Sequence, residues 1–255
     1  MKPLNPPISD WNGKRVWIIG ASSGIGEALA RRLRRDGARL AITARNEAAL
    51  RELASAGELV LPADVTDAGS LRASCDLLLR EFGGLDLCVY CAGVYTPMRA
   101  WAIDLPAVHE TIEINLLGVY HLLDLVLPLF SERGSGAICL VSSVAGYSGL
   151  PKALAYGPSK AALNNLAQIL YTDLAPRGIG VYLVNPGFVA TRLTRQNDFR
   201  MPSLMRPEGA ADAIVAGLAR GRFEIRFPGM FTFWMKSLSR LPDRLRFYLV
   251  GRAAE

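Results

Sequence analysis

Short runs rich in valine, isoleucine and leucine recur along the chain at 15–19, 39–43, 59–61, 85–89, 137–141 and 181–184. Between them the apolar positions change period, from continuous blocks to the three-and-four spacing of an amphipathic helix. The helical stretches include one opened by the glycines at 20–26 and carried on through Leu29 and Leu33, and two long ones at about 106–131 and 153–175. A strand covered on both faces has no solvent side to make polar, so near-continuous apolar strands alternating with helices predict a doubly wound parallel α/β sheet with helices on both faces. About seven strands are expected. Glycines at 20–26, 83–84, 134–136 and 178–180 supply the turns and helix stops between elements. No interior stretch reads as a linker, and 255 residues suffice for one well-buried unit, so 1–255 is expected to be a single domain.

Composition is that of an ordinary globular protein, 51% hydrophobic and 20% charged, and it is the placement of charge that adds information. From Arg220 onward there are eight basic residues against Glu224, Asp243 and Glu255, so the tail carries five of the six net positive charges. A nucleic-acid binder would pair a basic groove with a reading motif, and none occurs; no nucleic-acid partner is expected. Residues 228–255 form a basic amphipathic C-terminal extension. Drawn as a helix from Met230, one arc holds Met230, Phe231, Trp234, Met235, Leu238 and Leu241, with Thr232, Lys236, Ser239 and Arg240 opposite and Phe233 at the border. Such a face packs on its own domain, lids an active site, joins an oligomer interface, or lies peripherally on the inner face of a membrane. The first eleven residues lack the apolar core of a secretory signal, and the longest apolar stretch, 114–130, is interrupted by His121, Asp124 and Pro128. A cytoplasmic setting without a spanning helix is expected. Cys88 and Cys91 form a C-x-x-C, but three positions apart on a strand they point to opposite faces, which argues against a disulfide or a metal site. His109 and His121 show no accompanying carboxylate pattern, so no metal is assigned.

The first strand runs directly into Gly20-Ala21-Ser22-Ser23-Gly24-Ile25-Gly26 and then a helix. In that order the elements cradle a pyrophosphate: glycine lets the backbone turn tightly and approach closely, while the helix N-terminus offers free N–H groups and the positive end of its dipole. Gly20, Ser22, Ser23, Gly24, Ile25 and Gly26 are candidate dinucleotide contacts. At the end of the second strand, where an acid would hold a free ribose 2′-hydroxyl, Arg45 stands instead. A guanidinium there suits a 2′-phosphate and points to NADP(H), with Ser22 as a second phosphate contact; the alternative is a solvated arginine closing the strand. Farther along, Val141-Ser142-Ser143 ends a strand, and Tyr156 and Lys160 lie four apart on one helix face. A phenol ordinarily titrates near pH 10, and an adjacent ammonium favours its phenolate, so Tyr156 is a candidate to exchange a proton with a carbonyl or alcohol oxygen that a serine orients.

With these motifs the chain resembles the short-chain dehydrogenase/reductase family over about 14–226, which implies a Rossmann-type fold, an NADP(H)-dependent oxidoreductase interconverting carbonyl and alcohol by hydride transfer, and a homodimer or homotetramer. The resemblance selects Ser143, thirteen residues before the tyrosine, as the catalytic serine beside Tyr156 and Lys160. It gives Lys160 a second role on the nicotinamide ribose and gives Asn115 the upkeep of a water-linked proton relay. It sets Asp64 and Val65, with Ala92 and Gly93, beside the adenosine, and sets Pro186, Gly187, Val189 and Thr191 around the nicotinamide. One departure stands out: the family often has Asn-Asn-Ala-Gly after the fourth strand, and here the residues are Tyr90-Cys91-Ala92-Gly93, so the turn is expected to lose steadying side-chain bonds. The segment 188–205 occupies the position of the family's substrate lid; its Phe188, Leu193, Phe199, Met201, Leu204 and Met205 suggest a lipophilic, lipid-like carbonyl or alcohol. A non-catalytic NADP(H)-binding sensor or scaffold, docking through the tail, is the competing function. Retention of Ser143, Tyr156, Lys160 and Asn115 together disfavours it.

Overall fold

The structure, a computed structural model, describes residues 2–199 and 201–252. Seven strands form one parallel sheet: β1 (Arg15–Ile19), β2 (Arg39–Thr43), β3 (Leu59–Val60), β4 (Leu87–Tyr90), β5 (Gly136–Val141), β6 (Ile179–Pro186) and β7 (Glu224–Phe227), in the order β3-β2-β1-β4-β5-β6-β7. The alternation of strand side chains divides the apolar runs between two cores. Trp17, Ile19, Cys88, Tyr90, Ile138 and Leu140 face one side; Val16, Ile18, Leu87, Val89 and Cys139 face the other. On the second side pack α1 (Gly24–Arg35), α2 (Glu47–Leu53) and, later in the chain, a helix at Pro207–Ala219. On the first pack α3 (Ala68–Phe82), then α4 (Leu105–Ile112) continuing into α5 (Gly118–Arg133), and α6 (Tyr156–Leu174). The Pro207–Ala219 helix is α7, and the chain ends in α8 (Gly229–Leu238) and α9 (Asp243–Arg252). Cys88 lies in the first core and Cys91 packs against the second, so the C-x-x-C sulfurs do point apart.

The long helix differs from the expected one in two respects. It runs from Leu105 to Arg133 and, by length and a mean hydropathy of 1.6, is apolar enough to cross a membrane, which the interrupted 114–130 reading did not anticipate. Its apolar positions, among them Val119, Leu122, Val126 and Phe130, are buried against the sheet. It is also not a regular α-helix throughout: Glu113–Leu117 winds as a π-helical turn, a local widening that re-aims the side chains it carries. Asn115 sits in the middle of that turn.

Candidate active site

Strand order reverses between β1 and β4, so their carboxyl ends diverge into a crevice, the usual position for a ligand in an open α/β sheet. The glycine loop fills the first of those ends. Gly20 has φ of 86°, and a Cβ there would stand 2.4 Å from the Ala92 nitrogen; a Cβ at Gly26 would stand 2.3 Å from the Gly20 carbonyl oxygen. Both positions need glycine for the loop to close on itself and on the turn after β4. Ser23 is the N-cap of α1 but makes no side-chain cap bond, which leaves the first N–H groups of the helix facing the crevice. Gly20, Ser22, Ser23, Gly24, Ile25, Gly26, Arg45, Asp64, Val65, Ala92, Gly93, Pro186, Gly187, Val189 and Thr191 line one cleft of about 350 Å³, together with Ser143, Tyr156 and Lys160. In shape and donor set the cleft fits a dinucleotide. Arg45 projects into it 60% exposed, with Asp64 at 3.9 Å. Arg192, on the lid, also lines it; reading the lid for its apolar content passed that side chain over.

A second cavity, of about 470 Å³, adjoins the first, and Ser143, Tyr156 and Gly187 line both. The two serines that end β5 separate here. Ser142 is buried and donates its hydroxyl to the Lys160 carbonyl at 3.0 Å, whereas Ser143 opens on both cavities while its oxygen accepts from the Ala145 N–H at 3.1 Å. Lys160 is 4% exposed, its ammonium donating to the Val141 carbonyl at 3.0 Å and lying 5.6 Å from the centre of the Tyr156 ring. Burial pushes this ammonium down to about 8, with Cys91 opposing. Burial likewise pushes the Tyr156 phenol up to about 12; the neighbouring Ser143 hydroxyl lowers it, and Tyr95, whose ring meets Tyr156 edge-on at 5.1 Å, raises it. Burial therefore favours the neutral phenol when no cofactor is bound.

Asn115 is not in the cleft wall but behind it, fully buried. Its Oδ1 accepts from the Val94 N–H at 2.8 Å, and its Nδ2 donates to the Val94 carbonyl at 3.0 Å and to Ser159 Oγ at 3.1 Å. The π turn thus clasps the chain leaving β4. Tyr90, in place of a family asparagine, donates its hydroxyl to the Ile114 carbonyl in the same turn at 2.6 Å. Contrary to expectation, the turn after β4 is held by side-chain bonds; they come from a tyrosine and from the π turn. His121 contributes a packing contact of the same kind, its Nδ1 at 2.9 Å from the Val65 carbonyl oxygen.

The second cavity is walled by apolar side chains from four places: Leu150 and Ala153 before α6, Phe188, Leu193 and Phe199 of the 188–205 segment, Phe231, Met235 and Leu238 of α8, and Leu249 and Val250 of α9. The lid was read too broadly. Met201, Leu204 and Met205 are not in the wall, and Met205 bridges back to Val189 and packs on the second core. The tail, in turn, reaches the site. Phe231 lies where a Cβ on Gly187 would come within 2.7 Å of its ring, and its ring centre is 5.5 Å from that of Phe188.

A polar joint holds α8 in this position. Glu224, at the start of β7, accepts from the Tyr147 hydroxyl at 2.6 Å and from Asn185 Nδ2 at 2.9 Å, and pairs with Lys236 of α8. Burial works to raise this carboxyl, and the bonds from Lys236, Tyr147 and Asn185 more than reverse that, holding it below the usual carboxylate range. Tyr147 closes the turn that begins at Ser143, and Asn185 precedes Pro186-Gly187, so one carboxylate links the serine turn, the end of β6 and the pocket wall. Among the described residues no three side chains are grouped to hold a metal ion.

Comparison with known proteins gives the same picture. Residues 14–200 match the family model described as short chain dehydrogenase. An uncharacterized oxidoreductase of Myxococcus xanthus is 37% identical over 244 residues, covering 93% of this chain and 96% of that one. The 11-beta-hydroxysteroid dehydrogenase A of Sesamum indicum is 33% identical, covering 89% of this chain and 72% of its own length. Among solved structures, a 3-ketoacyl-(acyl-carrier-protein) reductase from Brucella melitensis complexed with NADH superposes with a TM-score of 0.79 at 25% identity, over 85% of this chain and 97% of that one. A short chain dehydrogenase from Burkholderia cenocepacia in complex with NADP superposes with a TM-score of 0.83 at 23% identity, over 96% and 99%, a likeness of fold.

Proposed function

Because this chain belongs to the short-chain dehydrogenase/reductase family of nicotinamide-dependent oxidoreductases, we propose that it reduces a lipophilic ketone or aldehyde with NADPH, and catalyses the reverse oxidation. The observation that carries this reading is the shared wall: Ser143 and Tyr156 stand where a glycine-floored cleft meets an apolar cavity of about 470 Å³. NADP(H) in the first supplies or accepts the hydride. Ser143 hydrogen-bonds the substrate oxygen, and Tyr156, protonated near neutral pH because burial pushes its phenol up to about 12, donates the proton that completes the alcohol. Lys160, poised near pH 8, keeps a positive charge beside that phenol at lower pH and loses it above. Asn115 acts at one remove, fixing Val94 and Ser159 around the lysine.

Solved neighbours carry either form of the cofactor, so the choice of NADP(H) rests on Arg45 and on the absence of an acid at the end of β2. The lipophilic substrate class rests on the pocket lining. The same reading has a cytoplasmic homodimer or homotetramer. A sensor or scaffold reading leaves the Ser143–Tyr156 junction without a purpose. NADPH oxidation by purified protein, followed across carbonyls from small polar ketones to long-chain acyl ketones, tests the proposal. Turnover is expected for the lipophilic members and should fall at least about 100-fold in Tyr156→Phe with NADPH binding retained. Tight NADPH binding with no turnover of any carbonyl would favour the scaffold.

A further inference from the structure

Helix α8 is oriented contrary to its own amphipathic pattern. The sequence places Met230 and Trp234 on the apolar arc and Thr232 and Lys236 on the polar one. In the fold, Thr232 is fully buried and donates its hydroxyl to the Pro228 carbonyl at 2.9 Å, and Lys236 turns in to Glu224. The physical reason is the partly buried Glu224 carboxylate, whose ion pair with Lys236 offsets the exposure of part of the helix's apolar side. Half of the apolar arc, Phe231, Met235 and Leu238, walls the pocket. Met230 and Trp234 of the arc are turned outward, 72% and 64% exposed, and with the border residue Phe233, 49% exposed, form one stripe along the helix, while α9 exposes Leu245, Phe247 and Tyr248.

Arginines flank this apolar surface. Arg226 lies over the Phe233 ring at 5.8 Å, Arg252 over the Tyr248 ring at 5.6 Å, Arg240 stands in the turn between the helices and Arg244 in the first turn of α9. All four are exposed, and none has an ion-pair partner among the described residues, whose tail carboxylates Glu224 and Asp243 are taken by Lys236 and Arg246. Charge therefore selects the occupant. A second copy meeting this face across a two-fold axis would set arginines against arginines, which is not self-complementary. An anionic surface that also accepts aromatic and methionine side chains is complementary, and a bilayer interface containing acidic phospholipid is such a surface.

We infer that the outward stripe of α8, with the exposed side chains of α9 and Arg226, Arg240, Arg244 and Arg252, is a docking surface for an anionic phospholipid bilayer. Since the inner sides of these helices wall the substrate cavity, the docked protein holds that cavity at the lipid interface, where a lipophilic carbonyl partitions. This last step rests on the reductase reading above; the docking itself does not.

Full-length protein is mixed with sedimentable vesicles of phosphatidylcholine, with or without phosphatidylserine, at low and high salt. Binding should be at least about tenfold tighter to the phosphatidylserine vesicles, weaken with salt, and be lost in the double variant Phe233→Ser, Trp234→Ser, whose side chains lie outside the pocket wall. The midpoint of thermal unfolding should be the same in that variant as in the parent, which shows that it is folded. Equal sedimentation of parent and double variant, or no preference for phosphatidylserine, overturns the docking and leaves the reductase standing. A concentration-dependent dimer that shields Trp234 from a soluble quencher, without vesicle binding, assigns the surface to a second copy and also overturns it. Vesicle binding with no carbonyl turnover would uphold the docking and overturn only the activity.

Discussion

Replacing Lys160 with methionine should destroy activity and stabilise the fold. The ammonium is 4% exposed and has one protein hydrogen bond, to the Val141 carbonyl, with no carboxylate partner among the described residues. Burial lowers its proton affinity from an ordinary 10.5 to about 8, which corresponds to a penalty of about 3 kcal/mol for keeping it charged in the folded apo protein at neutral pH. Methionine has a similar length and no charge. Leaving the Val141 carbonyl without its donor returns about 1–2 kcal/mol of that gain, so a net stabilisation of about 1–2 kcal/mol is expected, a rise in Tm of about 2–8 °C for a domain of this size. The pH dependence identifies the cause. Between about pH 8 and 10.5 the folded protein has released this proton and the unfolded chain has not, so the wild type gains stability as pH rises through that window, and the advantage of Lys160→Met shrinks by about 2 kcal/mol between pH 6.5 and 9.5. Thermal melts of both proteins without cofactor, across that range, measure it. A variant that is less stable than wild type at pH 6.5, by an amount that does not change with pH, would refute the reasoning.

Two further changes test the ends of the site. Arg45→Asp should raise KM for NADPH by about tenfold, the size set by the loss of a charge-assisted bond at a largely exposed side chain, and should lower KM for NADH; an unchanged KM for NADPH would remove Arg45 from cofactor choice. Glu224→Gln keeps an oxygen for Tyr147 and Asn185 but leaves Lys236 without its counter-charge, so α8 should loosen from the pocket: KM for a lipophilic ketone rises about fivefold with kcat little changed, and Glu224→Asp recovers part of it. A fall in kcat at constant KM would show instead that the joint acts through Ser143.

What could be read from the sequence was what repeats locally. The seven strands follow from apolar runs whose residues alternate between two cores, as Val16 and Trp17 do, and the cofactor cleft follows from glycines whose spacing is legible without knowing what they touch. Contacts between distant parts of the chain left no such signal. Glu224 is 77 residues from Tyr147 and 39 from Asn185, and nothing in a charged residue opening a strand indicates that it will be buried between them. The helical wheel of α8 left its orientation open, because a wheel weighs hydrophobicity and not the demand of a partly buried carboxylate. The lid illustrates the same limit: Phe199 and Met205 look alike as apolar lid residues, and only the bridge from Met205 to Val189 assigns one to the core and the other to the pocket. The missing asparagine pair after β4 looked like a loss because its replacement, Tyr90 reaching Ile114, depends on a π turn that periodicity does not foretell.

The protonation of Tyr156 has a bearing on direction. A base for alcohol oxidation must be deprotonated, and burial, which pushes the Tyr156 phenol up to about 12, opposes that state. An oxidised nicotinamide held in the cleft would add a positive charge favouring the phenolate, whereas in the proposed reduction the neutral phenol would serve as the proton donor. The same burial that makes Lys160 costly to keep charged thus keeps Tyr156 protonated near neutral pH, at the wall of the second cavity.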